Sequence, residues 1–177
     1  QAMLAFQPVV IAGDPGRVGF YEGLIRVLDE TGRIIPAREF MPIVERAELG
    51  REIDVVALNL GLKTLHKNPS LRLSINMSAR SIGYHRWMQT LQRWVKKDST
   101  LGERLILEIT ESSAMDQPEL VIDFMARLRK SNISFALDDF GSGHTALRYF
   151  KDFLFDVMKI DGQFTKSIDK DPDNQAL

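Results

Sequence analysis

Short apolar runs alternate along the chain with longer stretches in which apolar residues recur at helical spacing. The apolar runs predict strands at 4–11, 18–28, 71–75, 105–109, 135–138 and 157–160. The helical spacing predicts helices after Pro36 and around 53–60, 87–95, 118–128 and 146–150. Because strands separated by helices of this length form βαβ crossovers, we expect an α/β fold with a parallel sheet.

The same spacing predicts which side of each helix faces the core. The first two helices are expected to pack through their apolar stripes, Phe40, Ile43, Val44 and Ala47 in the first and Ile53, Val56, Ala57 and Leu60 in the second. The third helix carries Trp87 and Trp94 at helical spacing, which is typical of core residues. These helices are therefore expected to cover the sheet.

The composition is that of an ordinary globular domain, with 44% apolar and 27% charged residues in 177. This length predicts one domain over 1–177, and no apolar run approaches the ~18 residues of a membrane span. The absence of cysteine excludes disulfides, thiolate zinc and a cysteine nucleophile, and favours a reducing, cytoplasmic location. A formal net charge of -1 argues against a protein that coats DNA or RNA.

The chain opens with Gln1-Ala2-Met3 and lacks the features of a signal peptide. We therefore expect it to start inside a longer protein, such as the cytoplasmic part of a membrane-attached one.

The second half of the chain is acidic. Residues 105–161 carry 10 acidic and 6 basic side chains, which indicates a region suited to holding cations.

Polar side chains interrupt four predicted strands near their C-terminal ends: Asn76, Glu108, the pair Asp138-Asp139, and Lys159. Parallel strands are buried on both faces, so such residues need partners. They recur at about one βα unit each, which predicts that successive strands bring one polar group apiece to a common face. That arrangement is typical of the active sites of (β/α)8 barrels, and Glu22 in the second predicted strand belongs to the same ring.

Carboxylate and amide oxygens are hard ligands that suit Mg²⁺ or Mn²⁺. Asp138 or Asp139 could bridge two such ions about 3.5–4 Å apart, and Lys159 could orient a water or stabilise developing charge. Two reactions fit this set: phosphodiester hydrolysis, and enolisation with one metal and a lysine base. The amide of Asn76 and the adjacent aspartates favour hydrolysis, because two metals need a bridging carboxylate.

Five segments of the chain occur in a distinctive order: Glu22-Gly23-Leu24, Ser74-Ile75-Asn76-Met77-Ser78, Leu107-Glu108-Ile109-Thr110-Glu111, 137–143 and 157–161. Together they resemble the EAL domain, a cyclic di-GMP phosphodiesterase, and the resemblance runs from Phe6 to Asp161. It implies a TIM-type (β/α)8 barrel that hydrolyses cyclic di-GMP to linear pGpG with two Mg²⁺ or Mn²⁺ ions. Gly23 stands where the family has alanine, which leaves Glu22 in place.

The resemblance also implies roles for individual residues. The metal ligands would be Glu22, Asn76, Glu108, Asp138 and Asp139. Lys159 would position the nucleophilic water and share the catalytic role with Glu22, while Gln7, Arg26 and Asp161 would line the substrate site. Glu111, Phe140 and Gly141 would couple the loop after Asp139 to metal binding and to a homodimer interface. In such proteins the domain often follows sensory or diguanylate cyclase domains.

The family pattern continues beyond this chain, which covers about the first six strands of the barrel and is therefore expected to be C-terminally incomplete. The missing part would carry a glutamate that completes the two-metal site. The leading hypothesis is an active phosphodiesterase, since the chain retains Lys159 and the candidate ligands Glu22, Asn76, Glu108, Asp138 and Asp139. The alternative is a catalytically inactive EAL domain that acts as a cyclic di-GMP receptor or as a protein-interaction scaffold. Turnover by the intact domain would distinguish the two.

Overall fold

A computed structural model of the protein describes residues 1–45, 47–142 and 151–176. Its strands are β1 (Ala2–Ile11), β2 (Asp14–Leu28), β3 (Ile34–Pro36), β4 (Leu73–Asn76), β5 (Leu105–Thr110), β6 (Ser134–Phe140) and β7 (Val157–Ile160). They form one sheet in the order β1-β2-β4-β5-β6-β7, with β3 beside β2. The sheet curls into a half-barrel, which confirms the predicted α/β class.

Helices cover the sheet between its strands. They are α1 (Ala37–Val44), α2 (Glu48–Lys67), α3 (His85–Lys97), α4 (Leu101–Arg104), α5 (Glu111–Asp116), α6 (Pro118–Arg129), α7 (Gly162–Thr165) and α8 (Pro172–Ala176). The helix predicted around 146–150 lies outside the described residues. Within the described ranges, no helix combines the length and the apolar character needed to cross a bilayer.

The strand register aligns the C-terminal ends of the parallel strands. β1 and β2 form an antiparallel hairpin in which Gln7 lies opposite Glu22. From β2 onward, the pairings to β4, β5, β6 and β7 are parallel. Asn76 lies beside Glu108 across β4 and β5, and Thr110 lies beside Asp138 across β5 and β6. The polar strand ends therefore meet at one edge of the sheet, as the spacing predicted.

The core lies between the sheet and α2, α3 and α6. Trp87 of α3 and Phe124 of α6 have ring centroids 5.6 Å apart, and Phe124 lies 6.0 Å from Phe135 of β6. All three rings are fully buried, so the prediction of a core position for Trp87 is confirmed. Trp94 is half-buried, and its Nε1 donates a hydrogen bond to Asn59.

The predicted buried face of the first helix is wrong, and that of the second is confirmed only in part, since Ala57 is buried as predicted. No residue of α1 is buried, and Ile43 is 78% exposed. In α2 the buried side is shifted from the predicted one: it includes Val55, Leu58 and Leu62, whereas Val56 is 40% exposed. Apolar residues occur on more than one side of α2, so helical spacing alone allowed two stripes, and packing against the sheet selected one.

Candidate active site at the strand ends

Four strands bring the predicted polar residues together at one point. Glu22 comes from β2, Glu108 from β5, Asp138 from β6 and Lys159 from β7. One carboxylate oxygen from each of the three acids lies within 4.8 Å of the others. Asn76 at the end of β4 joins them, because its Nδ2 donates to Glu22 Oε1 over 3.1 Å.

The Lys159 ammonium group lies at the centre of this acidic cluster. Its Nζ is 2.7 Å from Glu108 Oε2, 3.0 Å from Glu22 Oε2 and 3.1 Å from Asp138 Oδ1. Three carboxylates that are partly or wholly removed from water would repel one another strongly. Lys159 therefore supplies the positive charge that lets them converge.

The environment shifts the pKa values of these groups. Burial alone would lower the pKa of Lys159, but the hydrogen bond with Glu108 and the surrounding carboxylates outweigh it and hold that pKa well above its usual range. Burial raises the pKa of Glu108, and the hydrogen bond from Lys159 opposes the rise. Because each charge supports the other, Lys159 and Glu108 act as an ion pair.

The acidic cluster fits a divalent metal ion by its chemistry. Its donors are carboxylate oxygens with the amide of Asn76 beside them, which are ligands that Mg²⁺ and Mn²⁺ prefer. Glu108 Oε1 is buried and accepts no hydrogen bond from the part of the chain that the structure describes. A buried carboxylate oxygen without a partner is costly, so a cation at this position would satisfy it.

Asp139 does not join the acidic cluster. It is exposed, and its φ of 55° lies in the left-handed region inside β6, where the register with β7 shifts between Leu137 and Phe140. Although the residue is exposed, its carboxyl group loses part of its hydration, and this loss, followed by the charges of Asp138 and Asp161, raises its pKa. Asp139 therefore lies near the acidic cluster but contributes no atom to the three-carboxylate group.

The loop after Asp139 is tied to α5. Gly141 has a φ of 93°, which favours glycine, and its backbone N–H donates to Glu111 Oε2 over 2.7 Å. Glu111 is buried at the first position of α5, and Phe140 pairs with Ile160 between β6 and β7. The three residues that the resemblance linked to this loop are thus adjacent.

The residues predicted to line a substrate site lie on β1, on β2 and just after β7. Gln7 is opposite Glu22 in the hairpin, so both side chains share one face of the sheet. Arg26 lies four residues beyond Glu22 on the same strand, and its guanidinium donates to the carbonyl of Ile25. Asp161 caps α7 by accepting a hydrogen bond from the backbone N–H of Gln163.

Gly23 is explained by packing. A methyl group at Gly23 would lie 2.7 Å from Ile75 Cδ1, and one at Gly61 would meet the same atom at 2.7 Å. Real side-chain carbons do not approach this closely, so Ile75 occupies the space that both glycines leave. The glycine next to Glu22 therefore belongs to the contact of β2 with β4 and α2.

Two polar residues near the site were not predicted from the sequence. Asp54 of α2 is buried and accepts hydrogen bonds from Ser78 and Ser81, just beyond β4. Ser113 of α5 accepts a hydrogen bond from the backbone N–H of Ala79. Neither interrupts an apolar strand, which is the signal that identified the acidic cluster. An acidic residue on a helix is usually exposed, so nothing in the pattern of apolar and polar positions distinguishes Asp54.

The family model and the curated relatives that match this chain agree on one family. The family model described as the EAL domain matches residues 1–177. The chain is 32% identical over 151 residues to the cyclic di-GMP phosphodiesterase PdeA of Borreliella burgdorferi, covering 83% of this chain and 22% of that protein. It is 30% identical over 172 residues to the cyclic di-GMP phosphodiesterase PdeB of Shewanella oneidensis, covering 95% of this chain and 20% of that protein. The chain thus spans about one fifth of the length of these relatives.

Solved structures resemble the whole described fold. The PaMucR phosphodiesterase in complex with c-di-GMP superposes with a TM-score of 0.86 at 25% identity, covering 99% of this chain and 73% of that one. The FimX EAL domain from Pseudomonas aeruginosa bound to c-di-GMP superposes with a TM-score of 0.85 at 25% identity. The match covers 99% of this chain and 71% of that one. The sheet and helices of this chain therefore have the TIM-barrel type of fold seen in EAL domains.

Proposed function

The chain belongs to the EAL domain family, and we propose that its acidic cluster hydrolyses cyclic di-GMP to linear pGpG with divalent metal ions. Relatives of this chain are named cyclic di-GMP phosphodiesterases, and similar folds are solved with c-di-GMP bound. One observation carries the proposal for this chain: the three carboxylates of Glu22, Glu108 and Asp138 converge around Lys159.

The residues of the acidic cluster would have two roles, metal binding and orientation of the attacking water. Glu22, Asn76, Glu108 and Asp138 would hold the metal, with Asp139 serving a second ion beside Asp138. A bound divalent ion supplies Lewis-acid stabilisation of the phosphodiester and lowers the pKa of a coordinated water. Lys159 has only hydrogen-bond donors to offer. It would therefore orient the attacking water and stabilise negative charge on the phosphoryl oxygens.

The surrounding residues would hold the substrate and the loop. Arg26 carries the positive charge suited to a phosphate of the cyclic dinucleotide, and Gln7 and Asp161 offer hydrogen bonds at its sides. The contact between Glu111 and Gly141 would hold the loop with Phe140 and link metal binding to a homodimer. We also propose that the domain is fused to sensory or diguanylate cyclase domains and that it is cytoplasmic.

The test is turnover of cyclic di-GMP by the intact domain that contains this chain, with Mg²⁺ or Mn²⁺, compared with EDTA. We expect linear pGpG as the product only when the metal is present. Lys159→Ala should lower kcat by about 10²–10³-fold, the range found when one donor to developing charge is removed. Lys166→Ala is the matched control, because it removes the same charge from an exposed side chain on α7's C-terminal side.

The outcomes separate the two hypotheses for this family. Equal rates for the parent and Lys159→Ala would refute the role of Lys159. Binding of cyclic di-GMP without any turnover by the parent would refute hydrolysis and establish a receptor. Cleavage that continues unchanged in EDTA would exclude metal dependence, and with it the assignment of the carboxylates as ligands.

A further inference from the structure

Asn76 lies at the point where β4 leaves the sheet. Its side-chain amide donates to Glu22, and the next backbone N–H, that of Met77, donates to the carbonyl of Glu108 over 2.9 Å. The chain then enters a 3₁₀ turn over Ala79–Ser81. Asn76 therefore lies between the hydrogen bonds that hold the end of β4 in the sheet and the turn that follows it.

Asp54 of α2 holds both ends of that turn with a single oxygen. Its Oδ2 accepts from the backbone N–H of Ser78 over 3.0 Å and from the hydroxyl of Ser81 over 2.6 Å. Asp54 is 5% exposed, and hydrogen bonds from Ser78 and Ser81 reach its carboxylate. A carboxylate buried in this way is costly, so its hydrogen bonds to the turn are its main compensation.

Ser113 holds the same turn from the other side. Its hydroxyl accepts from the backbone N–H of Ala79 over 2.9 Å, and its own backbone N–H donates to the hydroxyl of Thr110 over 3.3 Å. α5 also carries Glu111, which holds Gly141. The turn after β4 and the loop after β6 therefore rest on one short helix.

We propose that Asp54 and Ser113 are positioning residues that fix the 3₁₀ turn after β4 and so aim the Asn76 amide at Glu22 and the metal. This inference rests on the proposed function for the metal and deepens it by assigning the support of one ligand. Groups that hold a metal ligand in place typically change metal affinity by 10–100-fold when removed. Because Asp54 acts through the backbone and not directly on Asn76, we expect the lower end of that range.

The experiment measures Mn²⁺ affinity and the side-chain amide resonance of Asn76 in the full chain. Asp54→Ala should weaken Mn²⁺ binding about 10-fold and shift the Asn76 amide signal. It should lower kcat with little change in KM, since the substrate contacts stay in place. Asp54→Asn keeps an oxygen that can accept both hydrogen bonds, and should restore Mn²⁺ affinity to within about twofold of the parent.

Asp98→Ala is the control for a purely structural effect. Asp98 also anchors a turn, through Thr100, and pairs with His66, but it precedes β5 and therefore lies at the opposite end of the sheet from Asn76. Its removal should lower stability without changing Mn²⁺ affinity. If Asp54→Ala and Asp98→Ala affect Mn²⁺ affinity and the Asn76 signal equally, the proposal is overturned.

Two further arms keep the result decisive. If Asp54→Ala does not fold, Ser113→Ala replaces it, and an unchanged Asn76 signal with unchanged Mn²⁺ affinity refutes the proposal. If the parent binds Mn²⁺ but does not turn over cyclic di-GMP, the proposed hydrolysis fails while the affinity comparison still decides the role of Asp54. If the parent binds no Mn²⁺, the Asn76 signal alone decides it.

Discussion

Lys159 sets the electrostatics of the site at the scale of single residues. Its ammonium lies 2.7–3.1 Å from oxygens of Glu108, Glu22 and Asp138, and Glu108 has no exposed surface. Removing one partner from a buried ion pair leaves an uncompensated charge, which costs more than the pair itself contributes. The carboxylates therefore depend on Lys159 or on another cation.

Lys159→Met should make stability depend on divalent ions. In EDTA at neutral pH we expect the free energy of unfolding to fall by about 3 kcal/mol relative to the parent, because three carboxylates lose their counter-charge. Saturating Mn²⁺ should reduce this difference in unfolding free energy between the parent and the variant, because the ion supplies the missing positive charge. Urea unfolding in both conditions measures it, with Lys166→Met as the exposed control. An equal gap in EDTA and Mn²⁺ would contradict this explanation.

The residues at the strand ends could be predicted because each one breaks or ends an apolar strand. Glu108 stands within 105–109, and Asn76 and Asp138 end their runs, so a single rule identified them all. That rule could not distinguish Asp138 from Asp139. The left-handed backbone of Asp139 breaks the regular strand alternation where the pairing of β6 with β7 shifts in register, which is a tertiary feature.

At the scale of elements, loops at the strand ends are held by neighbouring helices. α2 supports the turn after β4 through Asp54, and α5 supports both that turn and the loop after β6. α5 is six residues long, which is too short for an apolar period, so it was not predicted. Its start depends on the side chain of Thr110, which accepts a hydrogen bond from Ser113.

Asp54 should make stability fall as pH rises. Burial raises its pKa in the folded protein to about 6, against 3.8 for the ordinary carboxyl. The folded state thus binds this proton more tightly than the unfolded state. Its stabilising contribution is complete below pH 4 and is lost as pH rises through 6, by about 3 kcal/mol in total.

Asp54→Asn removes this titration while keeping the hydrogen-bond acceptor. The difference in unfolding free energy between the variant and the parent should therefore move in favour of the variant from pH 4 to pH 7. Urea unfolding across that range gives both curves. Parallel curves would show that Asp54 keeps an ordinary pKa in the folded protein.

At the scale of the whole molecule, the described sheet has two edges. β1 and β7 stand at its ends and are not paired with each other. On β7, Lys159 points to the acidic cluster, so its neighbours Met158 and Ile160 point to the other face. Both are exposed, Ile160 by 61%. An apolar strand with unpaired backbone groups is prone to pair with another chain.

A polypeptide of residues 1–177 should therefore self-associate through β7. We expect Ile160→Lys to reduce the association, because a charged side chain opposes edge-to-edge pairing. Ile43→Lys is the matched control, since Ile43 is 78% exposed on α1, away from that edge. Light scattering over a range of concentrations measures the mass. A monomer at every concentration, or equal effects of both substitutions, would refute the role of β7.

The sequence by itself determined the α/β class, the order of the long elements and the residues of the acidic cluster. Parallel strands are buried on both faces and therefore consist mostly of apolar residues. A polar residue within such a run, such as Glu108, can be recognised from the sequence alone. Only the tertiary structure decided which stripe of α2 is buried, that Ile75 fills the space beside Gly23, and that Asp54 accepts a hydrogen bond from the turn after β4. These depend on contacts between residues distant in sequence, for which local spacing carries no signal.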